Sequence, residues 1–267
     1  MKDIVRQVAV VLSTFAVIGV NALASTLPLN DLTTGEISDR FDVFFVPAGY
    51  VFAIWGLIYL ALIGYSIYQA LPSQRENPRL RRVGWLYVLS CLANIAWLFL
   101  WHYELFALSM VAMVVLLLLL IGIYLSLGTG RTGVSTAETW LARVPFSIYL
   151  GWISVATIAN ATSLLDYLGW NGWGLSAEAW AAIMLVAAAV ITLAMSLTRG
   201  DVAYVLVIVW AYAGIAVKHS DTPLVAILAG FLAGFVLGSL LLGVIVASDR
   251  MEAQPATVAD QAVQDRW

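Results

Sequence analysis

Charge is scarce in this chain. Of 267 residues only 11% are Asp, Glu, Lys or Arg, against roughly 25% in an average soluble domain. Hydrophobic residues make up 62%, and the mean hydropathy is +0.93. That balance excludes a soluble globular domain and makes lipid the solvent; no nucleic-acid partner is expected. Cysteine is limited to Cys91, so there is no intramolecular disulfide and no cysteine metal cluster. The two histidines, His102 and His219, fall at expected helix ends, where membrane-surface positions suit them better than a shared metal site. No acidic or basic residue lies well inside any long apolar segment. Intramembrane charges mark ion paths and proton relays, so a proton- or sodium-driven pump of the usual kind is disfavoured, as is a membrane hydrolase with an acid/base pair. There is no Ser/His/Asp constellation, no Walker motif and no glycine-rich dinucleotide turn.

What is present is a succession of long apolar segments. They predict an all-α membrane protein, a polytopic bundle of about eight transmembrane helices, at roughly 5–26, 47–71, 83–102, 106–127, 144–164, 177–198, 202–218 and 223–247. Each is long enough for a ~30 Å hydrocarbon core or close to it. The first has Lys2 and Arg6 ahead of it and ends Asn21-Ala22-Leu23-Ala24-Ser25, like a signal peptide. Its apolar stretch, Val8 to Leu27, exceeds a usual signal core of about 7–15 residues, which favours an uncleaved helix. With the N-terminus inside, Lys2, Arg6, Arg75, Arg79, Arg81, Arg82, Arg131, Arg143, Arg199, Arg250 and Arg266 all face the cytoplasm, leaving Arg40 and Lys218 outside. The positive-inside rule then puts both termini in the cytoplasm, and a bacterial inner membrane is the expected location. Residues 28–46 form an acidic loop ending in Phe41, Phe44 and Phe45, a candidate lid. The unbroken apolar run Met113 to Leu120 reads as lipid-facing. Ala226, Gly230, Gly234 and Gly238 form a small-residue ridge expected to pack on another helix. The polar residues 248–267 read as a soluble tail.

Aromatic and amide side chains carry the chemistry. Trp55 and Tyr59, with Leu62 and Ser66, share one face of the second span. Asn94, Trp97 and Trp101 share a face of the third, and Tyr149, Trp152 and Asn160 a face of the fifth; Asn21 lies in the first. Aromatic walls suit flat apolar ligands, and an amide in a mostly apolar pocket fixes orientation. Those nine residues are the candidate ligand-binding set. Each alone is equally compatible with interfacial anchoring or an interhelical hydrogen bond; convergence of three such faces favours a pocket. No catalytic or metal-binding residue stands out.

These residues fall in an ordered series of short motifs. Pro47-Ala48-Gly49-Tyr50-Val51-Phe52, with Trp55 and Ile58-Tyr59, Asn94-Ile95-Ala96-Trp97, and Pro145-Phe146-Ser147-Ile148-Tyr149-Leu150-Gly151-Trp152 followed by Asn160, resemble the TspO/translocator-protein family of tryptophan-rich sensory proteins. The resemblance covers about residues 5–165. It implies a five-helix domain, 1–165, whose ligand pocket opens toward the loop between helices one and two. The additional segment 166–247, three further helices, and the tail 248–267 have no counterpart in it. It also implies tetrapyrrole or sterol-like ligands (a porphyrin or haem-like molecule, with no cofactor required), sensory or transport roles, and homodimers. Three departures stand out: Tyr50 replaces a tryptophan of the family pattern, the spacing from Tyr50 to Trp55 is one residue shorter than in it, and the three extra spans enlarge the chain. The leading expectation is a non-catalytic receptor or carrier for a flat hydrophobic ligand. The alternatives are a small-metabolite transporter and an enzyme acting on a bound tetrapyrrole.

Overall fold

The computed structural model of the chain describes residues 1–27 and 29–252, with no strand among them. Eight long helices carry the fold. They are α1 (Lys2–Thr26), α2 (Ile54–Ala70), α3 (Pro78–His102), α4 (Phe106–Leu127), α5 (Val144–Tyr167), α6 (Ala177–Arg199), α7 (Val202–Lys218) and α8 (Pro223–Glu252). A 3-10 turn, Gly49–Ala53, leads into α2. Seven of these helices are long and apolar enough to cross a membrane, and the apolar α7 is shorter at 17 residues. That length spans about 26 Å, at the lower limit for a crossing. The chain is a polytopic all-α integral membrane protein.

The helix boundaries have local causes. Asn77 accepts from the backbone N–H groups of Arg79 and Leu80, and Pro78 occupies the first turn. The helix α3 therefore starts at Pro78 rather than at 83, carrying its arginines on helical turns beyond the apolar segment. Gly128 and Gly200, both left-handed, end α4 and α6. Pro145 cannot donate to the carbonyl four residues back, and the turn before α5, Thr139–Arg143, is widened to π-type bonding.

Helices α1, α2, α5, α4 and α3 form a closed ring in that order, each packed on the next. The last three stand outside it: α8 packs on α6 and α7, and α7 packs on α5 and on the 3-10 turn before α2. Two glycines allow that approach. A Cβ at Gly151 would lie 3.1 Å from Val207 Cβ, and one at Gly214 would lie 2.2 Å from Val51 Cγ2.

One end of the bundle is basic. There Arg6 is only 3% exposed and donates to the carbonyls of Leu80 (2.8 Å) and Arg75 (2.9 Å). Gln7 Nε2 donates to Gln69 O and Leu71 O, so α1 is bonded into the bundle. Arg81 pairs with Asp3, and Arg79 with Glu138. At the other end both cations are paired, Arg40 with Glu104 and Lys218 with Asp39.

Four expectations need correcting. Met113, Leu116 and Leu120 are buried, because α4 is wedged between α3 and α5; only Val114, Val115 and Leu118 of that run face outward. His102 and His219 are buried at their helix ends rather than on the surface. His102 Nδ1 bonds Leu98 O at 2.8 Å, and His219 Nε2 bonds Val46 O at 3.2 Å. The glycine ridge of α8 does not pack on another helix among the described residues: Cβ atoms at Gly230, Gly234 and Gly238 would meet nothing within 4 Å there. Helix α8 instead buries the neighbouring strip Val225, Ala229, Leu232 and Val236. Finally, α8 continues to Glu252, which absorbs the start of the polar tail; residues 253–267 lie outside the described residues.

Candidate functional site

The lid is built from the segment between α1 and α2. A short helix, Thr34–Ser38, starts at a reciprocal capping box in which Thr33 and Glu36 bond each other's backbone N–H groups. Those bonds hold the Glu36 carboxyl below the usual carboxylate range. Phe41 lies against Trp101 and Phe106, with ring centroids at 6.0 and 5.1 Å. Asn30 Nδ2 donates to His102 O at 3.1 Å. Arg40 bonds Glu104 across the lid's edge and holds that carboxyl low.

Beneath the lid is a cavity of about 50 Å³, walled by Trp55, Trp97, Trp101, Trp152 and Asn160. Phe52 meets Trp152 edge-on at 5.6 Å, Trp97 stacks on Trp101 at 6.1 Å, and Trp55 meets Trp152 edge-on at 6.3 Å. Trp97 Nε1 donates to Asn160 Oδ1 at 2.9 Å, and Trp101 Nε1 donates to Thr34 O at 3.3 Å. Trp152 is different. It is 2% exposed, and its Nε1–H has no partner among the described residues. A buried donor is nearly always bonded, and leaving one open is costly.

The other four candidates lie beside the cavity and do not line it. Asn94 is fully buried; its Oδ1 accepts from Asn21 Nδ2 at 2.8 Å, and its Nδ2 donates to Tyr149 Oη at 3.0 Å. This chain ties α1, α3 and α5 together. Tyr59 stacks on Trp55 at 5.5 Å, and Tyr149 meets Trp55 edge-on at 6.0 Å. They back the wall that Trp55 presents. The lining also includes Thr34, Ser38, Pro47, Phe52, Val155 and Ala159, none of them in the sequence-derived set. Thr34 and Ser38 come from the lid helix; its Thr33-x-x-Glu36 spacing is the signal that could have found it in what was expected to be a loop. Phe52 belongs to the motif that carried Trp55.

Tyr50, where the family pattern has tryptophan, points away from the cavity. It meets Trp210 of α7 edge-on at 5.5 Å, and Trp210 Nε1 donates to Val51 O at 3.1 Å. Tyr50 and helix α7 thus touch each other.

A ring of five helices enclosing an aromatic cavity under a lid, with three more helices bracing it, is the architecture of a membrane protein built around a small internal site. The family model of the TSPO-like protein matches residues 7–242, and the chain belongs to that family. The matched range runs through α6, α7 and most of α8, beyond the motifs. No curated protein and no solved structure matches the chain. Family membership and the aromatic cluster together support a membrane ligand-binding or sensory protein.

Proposed function

We propose that the chain is a non-catalytic receptor or carrier for a flat hydrophobic ligand, tetrapyrrole- or sterol-like, held between α2, α3 and α5 beneath the lid. The observation that carries this reading is the open Nε1–H of Trp152 on the cavity wall. A ligand carbonyl or carboxylate would satisfy it, and the neighbouring indoles would stack on the ligand's faces. Ligand pockets span roughly 300–1,000 Å³, whereas the cavity holds about 50 Å³. Binding therefore requires the lid helix and Phe41 to lift, and the cavity marks a closed state. A homodimer fits the same reading, since the glycine ridge of α8 faces outward and Gly234 is exposed.

The test is absorbance titration of detergent-purified protein with a porphyrin series, in wild type, Trp97→Ala, Trp152→Ala and Trp85→Ala. Trp85 is 51% exposed on the outside of α3 and serves as control. Trp210 does not qualify, because it holds the turn before α2. Loss of one aromatic wall should weaken binding by about one to two decades. Wild-type binding that fails to saturate overturns the reading. A spectral change developing over hours would favour an enzyme, and uptake into proteoliposomes a transporter.

A bacterial inner membrane with both termini in the cytoplasm is part of the proposal. It is supported by the crowding of arginines at one end of the bundle. Reporter fusions after Asp249 should signal from the cytoplasm and fusions within 166–176 from outside. A cytoplasmic signal from both would exclude this topology.

A further inference from the structure

A larger space lies outside the ring. A groove of about 1130 Å³ runs between α2, α5 and α7 and shares no lining residue with the proposed pocket. Its walls are apolar, and Leu57, Leu206 and Trp210 on them are exposed at 52%, 47% and 40%, so the groove opens sideways toward the bilayer. Along α7 it extends from Asp201 to Trp210, about 14 Å of helix. One end is polar and the other is closed by the Trp210 indole.

The polar end holds two arginines, Arg143 and Arg199, against one carboxylate. Arg143 is 7% exposed. Its guanidinium donates to Thr132 O (2.6 Å), Leu127 O (2.9 Å) and Thr132 Oγ1 (2.6 Å), while its Nε has no partner. Arg199 lies over the Tyr124 ring at 5.7 Å and donates to Thr129 O at 3.2 Å. Neither forms an ion pair among the described residues. Thr129, 8% exposed, leaves its Oγ1 unpartnered at the same mouth. The one carboxylate there, Asp201, already accepts from Ser147 Oγ (2.6 Å) and the Tyr204 N–H (3.1 Å). The Arg143 guanidinium is bonded only to neutral oxygens, and Glu138, the carboxylate whose charge acts on it, is paired with Arg79, so a further anion at the mouth would be favourable. Arg199, less buried than Arg143, is the guanidinium an anion at the mouth would meet directly, and phosphate is the acceptor best matched to a guanidinium.

We propose that this groove holds one anionic phospholipid, its phosphate at Arg143 and Arg199 and an acyl chain along α7 toward Trp210. The lateral opening makes the surrounding bilayer the source. The cationic mouth selects a net-negative headgroup over a zwitterionic one.

Native mass spectrometry of full-length protein, exchanged into mixed nanodiscs of dioleoylphosphatidylglycerol and dioleoylphosphatidylcholine, tests this. Wild type should retain one phosphatidylglycerol in preference to phosphatidylcholine. Arg199→Gln should cut that preference about fivefold, and Arg199→Lys should keep most of it. Ala203→Phe, placing a ring in the groove, should reduce retention of both lipids; Leu57→Trp serves the same purpose if that variant does not fold. Equal retention of the two lipids by wild type, or unchanged retention in the groove-filling variant, overturns the proposal. So does displacement of the phospholipid by oleate, which would indicate a free carboxylate amphiphile, or a lipid-free dimer, which would put a second copy in the groove.

Discussion

Replacing Trp152 by Phe separates ligand binding from stability in a single change. In the closed protein the Trp152 Nε1–H is buried and unbonded, which costs about 1–3 kcal/mol. Phenylalanine removes that donor but gives up indole volume, a loss of about 1–2 kcal/mol for a modest core truncation. The two nearly cancel, so the variant should unfold within about 1 kcal/mol of wild type. Binding should not be spared. A neutral hydrogen bond from Nε1 to a ligand acceptor is worth about 1 kcal/mol and one to a charged acceptor about 1.5–3. The dissociation constant should then rise by roughly fivefold for a carbonyl and up to about a hundredfold for a carboxylate. Trp97→Phe is the contrast: its Nε1 bonds Asn160 Oδ1 at 2.9 Å, so that change should cost stability first. The assay pairs porphyrin titration with thermal unfolding in the same detergent. If Trp152→Phe binds as wild type while Trp97→Phe is the weaker binder, the open donor does not face the ligand, and the reasoning fails.

Asn94→Leu removes the 2.8 and 3.0 Å bonds to Asn21 and Tyr149 and should cost about 1–2 kcal/mol at membrane hydrogen-bond strengths; a denaturation midpoint equal to wild type would exclude the network as a tie between helices. Gly214→Ala should destabilise by about 1–3 kcal/mol through overpacking on Val51. Gly234→Leu should leave protomer stability within about 0.5 kcal/mol and change only oligomer size, read by light scattering. His219 gives a pH dependence. Burial holds its pKa below the usual histidine value, with the Lys218 charge adding to it, against opposite pulls from Val46 O, Asp221 and Asp42. The fold therefore prefers the neutral ring. Its contribution is full above the unfolded value near ~6.5 and declines as pH falls below it. Protection from hydrogen exchange in residues 29–46, corrected for the intrinsic pH dependence of amide exchange, should fall on acidification in wild type and not in His219→Gln.

The helices were legible because each is a long run without charge, and membrane-crossing length constrains both ends. The inward faces of α2, α3 and α5 were legible because aromatics and amides segregate on them, and five of nine named residues meet at the cavity. What polarity could not resolve was which apolar face meets protein and which meets lipid. Both neighbours are hydrocarbon-like, so Met113 and Leu118 look alike in sequence. The small-residue ridge of α8 misled for the same reason: small side chains permit close approach but do not name a partner. The roles of Asn21, Asn94 and Tyr149 depended on how deep each helix sits relative to its neighbours, which sequence periodicity does not encode.

The seam between α7 and the turn before α2 bears on how the protein is made. Trp210 and Val51 are separated by 159 residues, and Ala48 N donates to Gly214 O at 3.1 Å. During synthesis the segment from Pro47 to Trp55, which includes the turn, emerges early and waits for most of the remaining chain before its outer partner exists. Until then Val51 O has only its local backbone partner, the Ile54 N–H, and the cavity wall is unbraced from outside. A nascent chain halted before α7 should accordingly bind membrane-insertion chaperones through α2 longer than one carried past Lys218. Equal lifetimes of those crosslinks would show that the first five helices mature without waiting for the rest.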